Sequence, residues 1–484
     1  MKQIVYQLLP RLVGKGKFSS IDAGYLQGLR QMGVDTVWYT GIIRHATSSS
    51  EKVVKGDAGS PYAITDYYDV NPYLADNPDN RMKEFEQLLE RTHQAGLRLL
   101  IDFVPNHVAR EYRSRVRPSI GENDNTAVHW DSENDFFYYP GEQLRLPVPC
   151  GGYSEFPARA SGNAFTSSPG INDWWETVKL NYCDFHTHTW DKMFDIVNFW
   201  ARKGVDGFRC DMVELVPPDF FKWLIGRIKV DFPQLIFVAE VYQKERYREY
   251  VQDVGFDLLY DKSGLYDILR AVSCSGASAR EISWNWQSLG DLQPNMLNFL
   301  ENHDEQRIAS DFFAGSAQAG YAALAVSLLL NTAPFMLYFG QEAGERGMQA
   351  EGFSGLDGRT SIFDWCRVPA VDALYGGKLD EDARSVLERY KEVLALACTP
   401  AFREGRTFDL CYCQEPAYFN PDRHFAWLRS DGNRSWLIVS NFGPKADISV
   451  RIPQEALDYL GIRPEQRSYT LTVDERDFGI TEVK

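Results

Sequence analysis

Short apolar runs alternate with amphipathic stretches along roughly the first four fifths of the chain. The apolar runs have the length and composition of buried strands, and they lie at residues 4–10, 35–41, 97–105, 205–211, 235–241, 256–261, 296–302 and 333–340. Intervening stretches such as 80–95 and 190–203 carry the helical period of 3.6 residues. Eight strand–helix units predict an α/β fold with a (β/α)₈ TIM barrel, since an open doubly wound sheet usually has fewer strands.

Two regions of the chain depart from this alternation. Residues 108–178 are rich in Gly, Pro, Asn and aromatic residues and show no clear helix. Structureless loops beyond ~15 residues are uncommon in compact domains, so we expect an irregular domain inserted after strand 3. Strand-like runs separated by turn residues predict a C-terminal antiparallel β-sandwich at 400–484. The barrel domain then comprises 1–107 and 179–399.

Charge and composition narrow the classes of partner. The formal net charge of −16 disfavours binding to nucleic acid and to anionic membranes. No apolar run approaches the ~20 residues that span a bilayer, and the N-terminal segment lacks the features of a secretory signal. The eight cysteines are scattered without a metal-binding spacing, so we expect reduced thiols and a cytoplasmic protein. These patterns leave the oligomeric state open.

Polar motifs follow four of the predicted strands at the end where barrel enzymes carry their active sites. The motifs are D-F-V-P-N-H at 102–107, G-F-R-C-D at 207–211, A-E-V at 239–241 and E-N-H-D-E-Q-R at 301–307. We expect three carboxylates, two histidines and one arginine from these motifs to meet at the mouth of the barrel: Asp211, Glu240, Asp304, His107, His303 and Arg209. A single carboxylate at a strand end is more often a salt-bridge partner, but the full set favours a catalytic site.

The paired carboxylates suit cleavage of a glycosidic bond. A retaining glycosidase needs one carboxylate to attack the anomeric carbon and one carboxylic acid to protonate the leaving oxygen. The strand period of two puts Arg209 on the same face as Asp211, where a cation should keep this carboxylate ionised. Glu240 has no cation nearby in the sequence and lies between apolar neighbours, so we expect burial to raise its pKa for acid catalysis.

The remaining polar groups suit recognition of a sugar. His107 and His303 are placed to donate hydrogen bonds to sugar hydroxyls. Asp304 is placed to hold the hydroxyls beside the reacting carbon as the ring flattens. Cys210 lies next to Asp211, but the strand alternation points its side chain away from the mouth, into helix packing.

The four motifs, in their order and spacing, resemble the signature regions of the α-amylase family, glycoside hydrolase family 13. The resemblance implies that Asp211 is the nucleophile, Glu240 the acid/base and Asp304 the stabiliser of the transition state. It also implies glucose-binding roles for a further set: Arg209, His107, His303 and Tyr62, the last in S-P-Y-A-I-T-D-Y-Y-D-V-N-P as a ring beneath the glucose. F-G-Q-E at 339–342 resembles the end of the family's eighth strand.

The chain departs from the family at a structural calcium site. Many α-amylases bind calcium through the Asn of the first motif, here Asn106, an acidic residue before strand 4 and a group four residues after the nucleophile. Lys179 and Leu215 stand at the last two positions. A hard cation needs several oxygen ligands, whereas an ammonium replaces its charge, so we expect no metal and no cofactor. K-L-N at 179–181 resembles the neopullulanase and cyclomaltodextrinase branch.

The resemblance implies a retaining α-glucan hydrolase that cleaves α-1,4 bonds of starch, maltodextrin or glycogen fragments. An α-glucosidase and a glucanotransferase use the same site, and Met212 after the nucleophile leaves the linkage preference open. A non-catalytic binding subunit on this scaffold is a further alternative, although such relatives lose the carboxylates kept here. A metal-dependent hydrolase with His107 and His303 as ligands would lose activity in a chelator.

Overall fold

Eight parallel strands form a closed barrel at the centre of the molecule. The computed structural model describes residues 2–349 and 356–484. The barrel strands are β1 (Ile4–Leu8), β2 (Thr36–Tyr39), β3 (Arg98–Phe103), β4 (Gly207–Cys210), β5 (Ile236–Ala239), β6 (Leu258–Tyr260), β7 (Met296–Phe299) and β8 (Phe335–Tyr338). Each strand pairs with its sequence neighbours, and β8 pairs with β1 to close the barrel. The predicted (β/α)₈ barrel is confirmed.

Helices surround the barrel and bury their apolar faces against it. They are Ala23–Gln31, Arg81–Gln94, His188–Arg202, Pro218–Asp231, Asp267–Cys274, Arg280–Leu289, Tyr321–Leu329, Pro369–Tyr375 and Glu381–Ala397. The helical periods at 80–95 and 190–203 match the second and third of these within two residues. Across the described part of the chain, no helix is both long enough and apolar enough to cross a bilayer.

The segment after β3 departs from the barrel into an irregular insertion. It leaves through the strand His107–Ala109, which pairs antiparallel with the returning strand Thr177–Lys179. Between them, the described residues form no α-helix and one small ladder, Tyr138–Tyr139 with Ala158–Arg159. Buried ionic contacts organise this segment in place of regular structure: Arg110 donates to Glu155 at 2.9 Å.

The C-terminal region is an antiparallel β-sandwich with its own core. Four strands form one sheet: Arg406–Asp409, His424–Ser430, Ser435–Asn441 and Phe478–Glu482. The second sheet pairs Ala446–Arg451 with Ser468–Val473. Leu428, Val439 and Ile448 are fully buried between the layers. The predicted sandwich is confirmed, but it also contains the helices Pro400–Arg403 and Gln454–Leu460, which the pattern of apolar runs missed.

The predicted domain limits at 107, 178 and 399 stay a prediction. The predicted barrel domain also includes residues 1 and 350–355, which lie outside the described residues.

Gly207 lies where β4 begins, at a point where the neighbouring barrel strands approach it closely. A Cβ at this position would lie 2.2 Å from the carbonyl oxygen of Ile236 on β5 and 2.7 Å from Leu100 on β3. We expect Gly207→Ala to lower the free energy of unfolding by about 1–3 kcal/mol, because neither neighbouring strand can move independently. Chemical denaturation monitored by circular dichroism measures this difference.

Gly226→Ala is the matched control. Gly226 is an exposed glycine within the helix Pro218–Asp231, and a Cβ there meets nothing within 4 Å. The alanine should stabilise the chain by up to ~1 kcal/mol through helix propensity. Equal effects of the two substitutions would contradict the strand-packing argument.

Candidate active site

A cleft opens at the carboxyl ends of the barrel strands and has a volume of about 320 Å³. Five of the seven predicted site residues line it: Tyr62, His107, Asp211, Glu240 and Asp304. The other two, Arg209 and His303, lie buried directly behind them and contact the lining residues. The structure therefore brings all seven together. Their functional roles stay a prediction.

Arg209 is the centre of the cleft floor. Its Nη1 donates to Asp211 Oδ1 at 2.6 Å, as expected from the strand period. Its Nη2 lies 2.9 Å from Glu240 Oε2. One guanidinium thus contacts both carboxylates. No cation lies near Glu240 in the sequence, but β4 and β5 are adjacent and Arg209 reaches across to the end of β5.

Two further donors hold the carboxyl group of Glu240. Oε2 accepts from the backbone N–H of Met212 at 2.8 Å, and Oε1 accepts from the hydroxyl of Tyr242 at 2.8 Å. Met212 has φ 46° and ψ 47°, a left-handed conformation that is uncommon for a residue other than glycine. This conformation turns the chain immediately after Asp211 so that the N–H of Met212 reaches Glu240. The backbone strain therefore orients a carboxyl group.

Asp211 lies buried beside a cation and a second carboxyl group. Burial raises the pKa of Asp211 well above its usual value; Arg209 opposes this shift, while the charge of Glu240 adds to it. The expectation that Arg209 holds the pKa of Asp211 down is therefore not met, because burial of this carboxyl group outweighs the guanidinium.

Asp304 lies on the opposite wall and is held by His303. Nε2 of His303 lies 3.0 Å from Asp304 Oδ2 and also contacts the hydroxyl of Tyr62, while its Nδ1 lies 2.7 Å from the amide nitrogen of Gln7 on β1. With Gln7 donating to Nδ1, the ring proton resides on Nε2 and faces both oxygens. Burial opposes ionisation of Asp304, but His303 and Arg209 outweigh it and lower the pKa.

Aromatic rings enclose the guanidinium of Arg209. Its carbon lies 5.5 Å from the ring of Trp38, 5.2 Å from that of Tyr62 and 5.5 Å from that of Tyr260. Cation–π contacts of this kind strengthen when water is excluded. They help to keep a fully buried cation in place.

Asp102 adds a fourth carboxyl group beneath the cleft, and the sequence analysis assigned no role to it. It accepts from the indole of Trp38 at 3.2 Å and from the N–H of Gly41 at 3.2 Å. Burial raises its pKa to about 6, against the opposing charges of Arg209 and His303. Asp102 pairs in register with Arg209, so the two share the inner face of the barrel, and this register is visible only in the structure.

His107 stands where the insertion leaves the barrel. Burial, reinforced by the charge of Lys179, lowers its pKa to about 3, so the ring is neutral. Its ring centroid lies 5.1 Å from that of Trp174. Asn106 lies 3.0 Å from its Nδ1. A neutral imidazole offers both a donor and an acceptor to a ligand.

Loops supply cleft residues that the strand pattern did not identify. They are Lys55, Trp174, Glu176, Tyr242 and Phe363. Of these, only Tyr242 carried a signal, since it lies two residues after Glu240 and so shares its side of the chain. The others come from loops without a period, where sequence position does not indicate direction.

The fold is a barrel of the kind that carries enzyme active sites at the carboxyl ends of its strands, and a pair of buried carboxyl groups lies at that end. A family model described as the alpha amylase catalytic domain matches residues 23–362, which is more than half of the chain. The chain therefore belongs to the α-amylase family of glycoside hydrolases.

Two relatives illustrate the distance within this family. Alpha-amylase 3 of Dictyoglomus thermophilum is 23% identical over 359 residues, covering 69% of this chain and 66% of the relative. Alpha-amylase MalA of Haloarcula japonica is 26% identical over 354 residues, covering 71% of this chain and 44% of the relative. The alignments thus span about two thirds of one relative and less than half of the other.

The fold also matches solved structures over the whole chain. A cyclic α-maltosyl-(1→6)-maltose hydrolase from Arthrobacter globiformis superposes with a TM-score of 0.69 at 17% identity, covering 100% of this chain and 98% of that chain. At this level of identity the match shows a common fold.

The residues at the family's calcium position do not fit a calcium ion. The ammonium of Lys179 donates to the side-chain oxygen of Asn106 and to the backbone carbonyl of Leu215, the latter at 2.8 Å. Leu215 thus accepts this hydrogen bond through its backbone carbonyl, although its apolar side chain has no acceptor. In residues 2–349 and 356–484, no group of three or more His, Cys, Asp or Glu side chains is placed to hold a metal ion. The expectation of no calcium stays a prediction.

We expect excess chelator to leave the melting temperature of the native chain unchanged. Free calcium at 100 times its Kd would add ~2.7 kcal/mol to the free energy of unfolding, so calorimetry would readily detect its removal. A drop that calcium but not magnesium reverses would contradict the prediction.

Lys179→Met should destabilise the chain by about 1–3 kcal/mol, because the oxygens of Asn106 and Leu215 would lose their donor. The matched control is Lys222→Met, an exposed lysine on the helix Pro218–Asp231. Equal melting temperatures for the two variants would show that Lys179 does not organise this junction.

Proposed function

We propose that this chain is a retaining α-glucan hydrolase that cleaves α-1,4 bonds of starch, maltodextrin or glycogen fragments. The observation that carries the proposal is the shared guanidinium of Arg209, which contacts Asp211 and Glu240 in one cleft. Carboxyl groups held by one guanidinium favour the short separation of a retaining enzyme, since inversion needs room for a water between them.

In the first step Asp211 attacks the anomeric carbon while Glu240 donates its proton to the departing glycosidic oxygen. Arg209 stabilises the ionised carboxylate of Asp211 through its 2.6 Å contact. The hydroxyl of Tyr242 and the N–H of Met212 keep the acid in position. The products of this step are a free chain end and a glycosyl ester on Asp211.

In the second step Glu240, now ionised, takes a proton from water, and the water oxygen attacks the anomeric carbon. The carbon–oxygen bond to Asp211 breaks, which restores the carboxylate. Asp304 binds the ring hydroxyls as the oxocarbenium character develops, and His303 keeps it ionised. His107 and Tyr62 line the same cleft and contact the sugar ring.

The family supports the substrate class. Relatives named alpha-amylase and a structural neighbour named for a maltosyl-maltose hydrolase act on α-linked glucose by their names. The net charge of −16 suits a neutral polysaccharide better than an anionic one. The eight cysteines are all unpaired thiols, which supports a reducing compartment such as the cytoplasm. The proposed chemistry uses no cofactor.

Glu240→Gln should lower kcat on maltodextrin by ~10²–10⁴-fold with little change in KM, because proton transfer is lost while the shape is kept. The loss in kcat/KM, which reports the first step, should be much smaller with α-glucosyl fluoride, whose leaving group needs no proton. Asp211→Asn should lose activity on both substrates. Steady-state kinetics measure these values.

The surface variant Glu245→Gln, on an exposed side chain, is the control and should keep native turnover. Near-native turnover of Glu240→Gln on maltodextrin would overturn the assignment of the acid. Equal losses of kcat/KM for Glu240→Gln on both substrates would overturn its role in protonating the leaving group.

Maltoheptaose tests the reaction type and its stereochemistry in one assay. Hydrolysis by double displacement should give only shorter chains, and proton NMR should show the α-anomer first. Chains longer than seven glucose units would identify a transferase, because the glycosyl ester then passes to a sugar hydroxyl. Glucose and maltohexaose as the only products of the first turnovers would identify an α-glucosidase. An initial β-anomer would overturn retention.

A further inference from the structure

A second cavity lies in the layer of helices outside the barrel. We call it the helix-layer cavity; it is walled by the helices Ala23–Gln31, Pro369–Tyr375 and Glu381–Ala397, and its volume is about 790 Å³. Tyr6 and Glu342 lie at its base. None of its lining residues lines the catalytic cleft. Its volume falls within the ~300–1,000 Å³ typical of small-molecule sites.

The base of the cavity is polar and incompletely paired. Glu342 is 1% exposed, and its Oε1 accepts from the hydroxyl of Tyr6 at 2.6 Å. Within the described ranges Oε2 has no hydrogen-bond partner. The hydroxyl of Tyr25 donates to that of Tyr6 at 3.4 Å, which leaves the oxygen of Tyr25 able to accept. A buried carboxyl oxygen without a donor is costly, so a ligand hydroxyl here would be stabilising.

Two glycines open the wall formed by the helix Ala23–Gln31. Gly24 and Gly28 both line the cavity, one helical turn apart. Glycine within a helix is less stable than alanine by roughly 0.5–1 kcal/mol. A Cβ at Gly28 would meet nothing within 4 Å, so no packing neighbour among the described residues requires this glycine. The open wall instead gives a ligand access to the helix backbone.

The sides of the cavity combine aromatic and aliphatic surface. The rings of Tyr25 and Tyr375 lie 6.5 Å apart and are tilted by 45°. Tyr375 is 43% exposed, which is high for so large a ring. Leu29 and Met32 line the same space. Flat rings beside scattered hydrogen-bonding groups match a pyranose, which has apolar C–H faces and a rim of hydroxyls.

We propose that the helix-layer cavity binds a neutral mono- or disaccharide, separately from the catalytic cleft. The hydroxyl groups of the sugar reach Glu342 and Tyr25, and a ring face packs on Tyr375. Asp22 and Lys391 both line the cavity, and their opposite charges leave its walls without a net charge that would select a cation. Burial raises the pKa of Glu342, which weakens its attraction for a cation. The proposal concerns binding and does not depend on the proposed catalytic function.

Calorimetric titration with maltose tests the site, in the Glu240→Gln background so that the sugar is not turned over. Adding Gly28→Leu should remove one binding event or weaken it at least ~10-fold, because the new side chain extends into the cavity and takes up space that the sugar needs. The matched control adds Gly226→Leu, an exposed helical glycine with equally open surroundings. It should leave the isotherm unchanged, and melting curves confirm that both variants fold.

A second pair of variants probes the ring contact. Tyr375→Ala should weaken the same binding event, whereas Tyr412→Ala, which removes a tyrosine that is 66% exposed on the C-terminal region, should not. An unchanged isotherm for Gly28→Leu would overturn the proposal. Binding of choline, but not of maltose, that is lost in Gly28→Leu would overturn the neutral-sugar assignment.

Failure of the proposed hydrolase function would be visible separately. Gly28→Leu in the otherwise native chain should keep the turnover of maltodextrin, since its side chain lies outside the catalytic cleft. A chain without hydrolase activity that still loses maltose binding in this variant would support the cavity and contradict only the proposed function.

Discussion

The catalytic cleft depends on one buried cation. Arg209 is 1% exposed, and its guanidinium is stable there only because Asp211 and Glu240 contact it and three aromatic rings enclose it. The dependence is mutual, because burial disfavours the ionised form of Asp211 and the guanidinium opposes that penalty. Removing any member would leave a buried charge without its partner. The positions of both carboxyl groups therefore depend on one interaction.

The barrel makes this interaction possible by placing neighbouring strand ends side by side. β4 delivers Arg209 and Asp211, and β5 delivers Glu240 next to them. Gly207 lets β4 lie close to both neighbours, and the left-handed Met212 then turns the chain so that its N–H meets Glu240. The strained backbone of Met212 and the missing side chain of Gly207 both help to bring the end of β4 close to Glu240. The site is rigid because closed strand pairing leaves little freedom.

The junction between the insertion and the barrel follows similar electrostatics. Lys179 lies on the returning strand and gathers the oxygens of Asn106 and Leu215, which come from the ends of β3 and β4. Burial lowers the pKa of this ammonium to about 8, so it remains mostly protonated at neutral pH. The side chain of Lys179 thus connects the insertion to the mouth of the barrel, next to His107.

The sequence by itself determined the features that follow the period of a strand or a helix. It identified all eight barrel strands, the insertion, and the shared face of Arg209 and Asp211, because strand and helix periods repeat within a few residues. Only the tertiary structure decided that Arg209 also contacts Glu240, that Trp174 and Glu176 reach the cleft, and that Tyr6 meets Glu342. These contacts join segments that are 31 to 336 residues apart or come from irregular loops. No local period specifies such pairings, which depend on how the barrel closes.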